Sequence, residues 1–205
     1  IGCGDGRYSV SMSKALRQLT CIDISDEAVA DLRTRIQSEN IENTDVLICD
    51  PPVTVKQFFA PKSINVVTMI FGVLSHIVND DERHTILSDV NAVLSDDGVF
   101  ILSVPNKHRR FRQEQSQQGA SSISYSRDSN GTVLKMNYKL FDVEEIRQEL
   151  LQANFTGITI VSETIFAESW VVKHPLIARL DRMLRHIVPR RWAYGLLIQA
   201  KKQPQ

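Results

Sequence analysis

Short, largely apolar runs rich in β-branched residues alternate with longer stretches of helical period through the first half of the chain. The runs Leu19–Ile24, Asp45–Cys49, Ile64–Phe71 and Gly98–Val104 predict strands, and Arg7–Arg17, Asp26–Ser38 and Asp80–Leu94 predict helices between them. Such alternation predicts a parallel sheet covered by helices. Ser25 stands where a helix N-cap belongs, with Asp26 and Glu27 in the first turn, where negative charge complements the helix dipole. The strand-to-helix junction therefore falls just after Asp23. Asp80 and Asp81 open the next helix in the same manner, and Gly98 follows its end as a turn residue.

The second half is less regular. From Asn106 to about Ser122 the chain is polar and carries the basic cluster Lys107-His108-Arg109-Arg110-Phe111-Arg112, which reads as a mobile arm outside the core. Ile123–Arg127 and Thr132–Tyr138 flank Ser129-Asn130-Gly131, and Asn-Gly between two candidate strands predicts a hairpin. A helix over Val143–Ala153, a strand over Thr156–Ile165 and a last strand over Trp192–Ala200 complete the pattern. Between those two strands, Leu176–Ile187 predicts an amphipathic helix with Leu176, Leu180, Met183, Leu184 and Ile187 on one face and Arg179, Arg182 and Arg185 on another. That single apolar stripe is expected to pack on the domain, with an anionic membrane surface as the alternative. Ile1-Gly2-Cys3-Gly4 reads as the end of a strand, so a preceding strand is expected outside this sequence.

Composition narrows the class. With 205 residues, 42% apolar and 23% charged, one domain with a core of its own is expected across residues 1–205. Within it, 105–140 form the inserted arm and hairpin, and 166–191 a C-terminal helical extension. Cys3, Cys21 and Cys49 show no CxxC spacing, and an odd count cannot pair completely, which points to a reducing, cytoplasmic setting. The longest nearly apolar run, Ile64–Leu74, is interrupted by Asn65 and Thr68 and is far short of the roughly 20 residues that span a bilayer. No transmembrane segment is expected. The zero net charge conceals a split: residues 1–104 carry 8 Lys and Arg against 15 Asp and Glu, and residues 105–205 carry 16 against 9. A basic half either complements the acidic half within the fold or attracts an anionic ligand.

The most informative segment is Gly2-Cys3-Gly4-Asp5-Gly6-Arg7-Tyr8, a glycine-rich turn that opens a predicted helix. Glycines allow close approach of backbone to ligand, and a helix N-terminus supplies free N–H donors. A dinucleotide fingerprint needs G-x-G-x-x-G, whereas the third glycine here arrives one residue early. The tighter turn suits a nucleoside with an amino acid tail better than a pyrophosphate bridge. Asp23, at the end of the next strand, is placed to accept hydrogen bonds from ribose hydroxyls. Asp50 closes the third strand, either to take an adenine amine or as a turn residue before Pro51-Pro52.

Taken in order, IGCGDGRYSV, CIDISDEAV, DVLICD, INVVTMIFGVLSHI and DVNAVLSDDGVFILSVPN resemble the class I S-adenosylmethionine-dependent methyltransferases over roughly residues 1–160. The resemblance implies an α/β, Rossmann-like doubly wound, mostly parallel sheet with an antiparallel last strand, here with an inserted β-hairpin arm. It implies S-adenosylmethionine as cofactor. Gly2, Cys3, Gly4 and Gly6 then match the loop under the methionine moiety, and Asp23 the ribose-binding acid with Ile24 beside the adenine. Asp50 and Pro51 match the adenine-amine site, and Phe71 and Leu74 the lining of the methyl end. Two departures stand out: the acidic residue usual just before Ile1 lies outside this sequence, and Ser95-Asp96-Asp97-Gly98 replaces a Lys-Pro-Gly-Gly turn while keeping its last glycine. Asp50-Pro51-Pro52-Val53 also resembles the Asp-Pro-Pro-Tyr motif of enzymes that methylate exocyclic amines of bases, but it follows the third strand instead of the fourth, and Val53 cannot stack on a base.

For the chemistry, His76, just after the fourth strand once the expected upstream strand is counted, is the candidate general base, with packing or hydrogen bonding at a strand-helix junction as the alternative. His84 is expected at the surface, and no pair of histidines has metal-ligand spacing, so no metal is expected. Substrate contacts are expected from Arg109, Arg110 and Arg112, and from Tyr138, which otherwise packs in the hairpin. The resulting expectation is methyl transfer to an oxygen, nitrogen or carbon of a small-molecule substrate. RNA methylation through the basic arm and a non-catalytic cofactor-binding module are the alternatives, and no DNA partner is expected.

Overall fold

The computed structural model describes residues 1–49, 55–118, 122–129 and 132–203. They fall into two compact units, Ile1–Thr54 and Val55–Gln205.

In the first unit the glycine-rich loop leads into α1 (Ser9–Ser13), followed by β1 (Leu19–Asp23), α2 (Asp26–Ser38) and β2 (Thr44–Ile48). β1 and β2 pair in parallel from Leu19↔Thr44 to Asp23↔Ile48. α2 begins where its cap predicts, with the Ser25 hydroxyl accepting from the Ala28 N–H at 3.2 Å. α1 is much shorter than Arg7–Arg17. Its serines are weak helix formers, and Asn43 turns its amide to the Ser13 and Leu16 carbonyls at 2.9 and 2.7 Å, ending the helix. Val10, Cys21 and Leu32 form the core, with Leu19, Ile36, Ile41 and Val46 around them.

The second unit contains β3 (Ile64–Met69), a 3₁₀ turn at Val73–His76, α3 (Asp80–Val93), β4 (Leu94–Pro105), α4 (Arg112–Gln118), β5 (Ser122–Ser129), β6 (Thr132–Lys139), α5 (Val143–Gln152), β7 (Phe155–Thr164), α6 (Glu168–Lys173), α7 (Pro175–Leu184) and β8 (Gly195–Lys202). The sheet order is β3-β4-β8-β7, with β3 parallel to β4 and β8 antiparallel to both its neighbours. The last strand is therefore antiparallel, as expected. Phe100, Leu102, Leu196 and Ile198 on the central strands are buried, as are Leu87 and Val90 of α3 and Ile146 and Leu150 of α5. β5 and β6 form the predicted antiparallel hairpin, from Ser122↔Lys139 to Ser129↔Thr132.

Several local expectations change. Asn79, not Asp80, caps α3, its side-chain oxygen accepting from the Asp81 and Glu82 N–H groups at 2.9 and 3.1 Å. Gly98 sits inside β4, in a bulge between the Leu94 and Val99 pairings, where an added Cβ would lie 2.8 Å from the Ser95 carbonyl. The start of the presumed mobile arm is anchored: Asn106 is buried and donates to the Arg190, Arg191 and Ala193 carbonyls at 3.0, 3.3 and 2.8 Å. α7 does not use its apolar stripe for packing, because Leu176, Leu180, Met183 and Ile187 are all exposed.

Candidate functional site

In the first unit the glycine loop is shaped by three left-handed residues, Gly2, Gly4 and Gly6, with φ of 70°, 52° and 81°. The Gly2 and Cys3 N–H groups both donate to the Ile22 carbonyl, at 2.7 and 3.1 Å, which docks the loop on β1. Asp23 finishes the docking: its Oδ2 accepts the Gly4 N–H at 2.6 Å and its Oδ1 the Ser25 N–H at 3.1 Å. The carboxylate at the end of β1 thus sets the loop's shape, and its remaining lone pairs are still available to a ligand's hydroxyls.

The glycines differ in what they permit. A Cβ at Gly6 would lie 2.2 Å from Leu32 Cδ1, so the loop is pressed onto α2 there. At Gly4 an added Cβ would meet nothing within 4 Å, which leaves backbone open to an approaching molecule. The Cys3 side chain turns inward onto the core, and its thiol shares a hydrogen bond with Cys21 that pushes the Cys3 pKa up. The Cys3 side chain is therefore directed away from the loop's outer face. The helix that follows, whose N-terminus was expected to supply free N–H donors, is a single turn at Ser9–Ser13. Ile24 is 61% exposed beside Asp23, an aliphatic surface on which a flat ring can rest. Asp50 and Pro51 lie outside the described residues.

In the second unit the end of β3 carries two consecutive left-handed residues, Phe71 at φ 61° and Gly72 at φ 72°. Ser103 on β4 clamps both: its Oγ accepts the Phe71 N–H at 2.8 Å, and its carbonyl the Gly72 N–H at 3.1 Å. Phe71 is half exposed. Leu74 is not available as expected; it is fully buried, and its side chain belongs to the core. Tyr138 lies over Gly72 so closely that a Cβ there would be 2.0 Å from the phenolic oxygen. Next to this contact is a cavity of about 80 Å³, lined by Phe71, Gly72, Ser103, Arg110, Tyr138 and Glu163 among others. It lies beyond the carboxyl ends of β3 and β4, where ligands bind in open α/β sheets.

His76 packs the edge of its imidazole on Tyr138, with ring centroids 4.7 Å apart. Partial burial of the ring lowers its pKa below the ordinary imidazole value, so it is neutral at pH 7. Tyr138, Tyr125 and Phe111 make an aromatic cluster with centroid separations of 5.2 to 5.8 Å. Tyr138 is thus both a packing residue of the hairpin and part of the cavity wall. Of the three candidate arginines only Arg110 reaches the cavity, its guanidinium stacked over Tyr194 at 4.5 Å. Arg109 donates to the Trp192 carbonyl at 2.8 Å and Arg112 to the His108 carbonyl at 3.3 Å.

Sequence reasoning missed Ser103, Glu163 and, most of all, Arg83. Arg83 is buried on α3 and donates to both Glu149 oxygens at 2.9 Å, to Asp80, and to the Ile77 carbonyl at 2.8 Å. Lys139 joins it on Glu149 and Asp80 at 2.9 and 3.2 Å. Through Ile77 this lattice fixes the segment that follows His76. A cation among apolar helix positions was the available signal. Among the described residues no group of His, Cys, Asp and Glu has the arrangement of a metal site, and no helix is long and apolar enough to cross a membrane.

Residues 1–98 match the sequence model of a family described as a methyltransferase domain. Among solved structures, the chain is similar to an S-adenosylmethionine-dependent methyltransferase from Clostridium acetobutylicum, with 12% identity, 98% of this chain and 82% of that one covered, and a TM-score of 0.69. A second such enzyme from Methanosarcina mazei gives 16% identity, coverage of 100% and 91%, and a TM-score of 0.71. A third, a phosphoethanolamine N-methyltransferase from Haemonchus contortus in complex with phosphomonomethylethanolamine and S-adenosylhomocysteine, gives 16% identity, coverage of 100% and 48%, and a TM-score of 0.66. No curated protein sequence matches significantly. At such identities the neighbours establish the fold, the α/β arrangement expected from the sequence.

Proposed function

We propose that this chain is a class I S-adenosylmethionine-dependent methyltransferase that methylates a small-molecule acceptor seated in the cavity beside Phe71, Gly72 and Tyr138. The observation that carries this reading is the cavity's size. About 80 Å³ receives a group of only a few heavy atoms, well below the several hundred Å³ of pockets that enclose drug-sized ligands. Arg110 and Glu163 in its wall suit an acceptor that bears charge. The phosphomonomethylethanolamine in the Haemonchus contortus complex, a small phosphorylated amine, is a molecule of that kind.

The cofactor supplies an already activated methyl group, so the protein's task is alignment and exclusion of water, worth on the order of 7 to 11 kcal/mol when geometry is held. We assign the open backbone at Gly4, with Gly2 and the Cys3 backbone, to the methionine end of the cofactor, Asp23 to the ribose hydroxyls and Ile24 to the adenine. Asp50 and Pro51 are assigned to the adenine amine on the family resemblance. Phe71 is assigned to the methyl end on the family resemblance, and neutral His76 to accepting the acceptor's proton. RNA is the weaker reading. Lys107 is paired with Asp142 and Glu145 at 2.7 Å each, and Arg109 and Arg112 are tied to carbonyls, so these three cations of the basic cluster are engaged within the fold.

Calorimetric titration with S-adenosylhomocysteine and, in parallel, NAD, followed by turnover assays on small charged amines and on tRNA, tests the proposal. Micromolar binding of the former alone and turnover of a small acceptor are expected. Turnover of tRNA alone overturns the acceptor assignment. Cofactor binding without turnover of any acceptor favours a non-catalytic module.

A further inference from the structure

α7 is held to the second unit by a carboxylate instead of by its apolar face. Asp181, fully buried, accepts the Ile165 and Phe166 N–H groups at 2.8 and 3.0 Å, and Arg185 pairs with it at 3.3 Å. With Asp181 directed inward, the positions that recur at helical spacing on the opposite side, Leu176, Leu180 and Met183, point to solvent, and Ile187 extends the stripe. Leu176 is 83% exposed and Ile187 77%. Four large apolar side chains aligned on one exposed face are not the scattered exposed apolar residues of an ordinary surface.

The charge around the stripe identifies the occupant. Arg179 and Arg182 stand on the same helix next to the apolar residues, and both are exposed. Residues 168–192 hold six Lys and Arg against two acidic residues, of which Asp181 is buried. Trp170 and Trp192, both exposed, lie in the same segment. Aliphatic residues on one face, arginines beside them and tryptophans in the segment are the signature of a helix lying in the headgroup layer of a membrane. We propose that α7 docks this protein on a bilayer surface carrying anionic lipid headgroups, with Leu176, Leu180, Met183 and Ile187 entering the acyl boundary and Arg179 and Arg182 on the headgroups. A cavity-bound acceptor and this surface are independent features, and neither proposal requires the other.

The chain contains only two tryptophans, both in this segment, so intrinsic fluorescence reports on it directly. The experiment mixes the protein with vesicles of phosphatidylcholine alone and of phosphatidylcholine with phosphatidylglycerol, reading co-sedimentation and tryptophan emission. Binding and a blue shift are expected with the anionic vesicles only, declining as salt is raised. Leu180→Glu with Met183→Glu, both at exposed positions, should weaken binding about tenfold or more. Arg179→Ala and Arg182→Ala should each weaken it about fivefold. Circular dichroism checks that the variants remain folded. Failure to bind either vesicle, or binding that the Glu pair leaves unchanged, overturns the proposal. So does self-association in light scattering that the Glu pair abolishes, since the face would then be covered by a second copy.

Discussion

Two turns that each follow or precede a strand end, one in each unit, solve the same problem by different means. The loop at Gly2–Gly6 holds left-handed backbone at alternate residues and the turn at Phe71–Gly72 at two consecutive ones, and both are fixed by a side-chain oxygen from a nearby strand: Asp23 on the Gly4 N–H, Ser103 on the Phe71 N–H. They differ in what lies above the backbone. Over Gly4 the space is open, whereas over Gly72 it is filled by the Tyr138 phenol. Glycine in the first allows a ligand to come close; glycine in the second lets the protein pack on itself and form a cavity wall. A glycine in a functional turn is therefore informative only when its surroundings are known.

The largest effect is expected where the second turn is supported from below. Arg83→Met leaves Asp80 and Glu149 with Lys139 alone and frees the Ile77 carbonyl, and should lower stability by about 3 kcal/mol in denaturant unfolding. An unchanged midpoint would mean that the lattice holds nothing in place. Next, Asp23→Ala should weaken S-adenosylhomocysteine binding roughly ten- to one-hundred-fold, because charge-assisted hydrogen bonds are worth about 1.5 to 3 kcal/mol. Calorimetry that finds wild-type affinity in a folded variant refutes the ribose assignment.

Alanine at the two glycines separates open backbone from packed backbone. Gly72→Ala combines a left-handed backbone with a Cβ 2.0 Å from the Tyr138 oxygen, and should destabilise by about 2 kcal/mol. Tyr138→Phe in the same chain should recover part of that loss. Gly4→Ala has only the backbone cost, about 1 kcal/mol, and should instead reduce cofactor affinity. Equal losses of stability at the two positions would erase the distinction. The smallest effect is a displaced titration. His76 has its pKa lowered by burial, so its proton-accepting form persists at pH values where an ordinary imidazole is already charged, and is lost only as pH falls through the lowered value. The acid limb of kcat/KM should lie below the ordinary histidine range and change in His76→Ala; a limb that stays put in that variant assigns His76 to packing.

Much of the first unit was legible because its signals are local. Ser25 as cap, Asp23 at the strand end and the glycine spacing each depend on neighbours within a few residues, and α2 begins and ends where its pattern predicts. Phe71 was placed near the reacting end by resemblance, but nothing in a phenylalanine announces a left-handed backbone, and Leu74 beside it proved to be core. The three arginines of the basic cluster looked equivalent in sequence. Only the distant carbonyl of Trp192, the ring of Tyr194 and the local turn at His108 separate their fates.

The alternation of strands and helices, the α2 cap and the glycine-rich loop were legible in the chain alone, since periodicity, caps and turns are written in adjacent residues. Long-range packing set which glycine has open space above it, which arginine lines the cavity, and which way α7 turns its apolar stripe. Those outcomes depend on pairings between residues far apart in the chain, such as Asp181 with Ile165, Tyr138 with Gly72 and Arg83 with Glu149, whose energies no local pattern encodes.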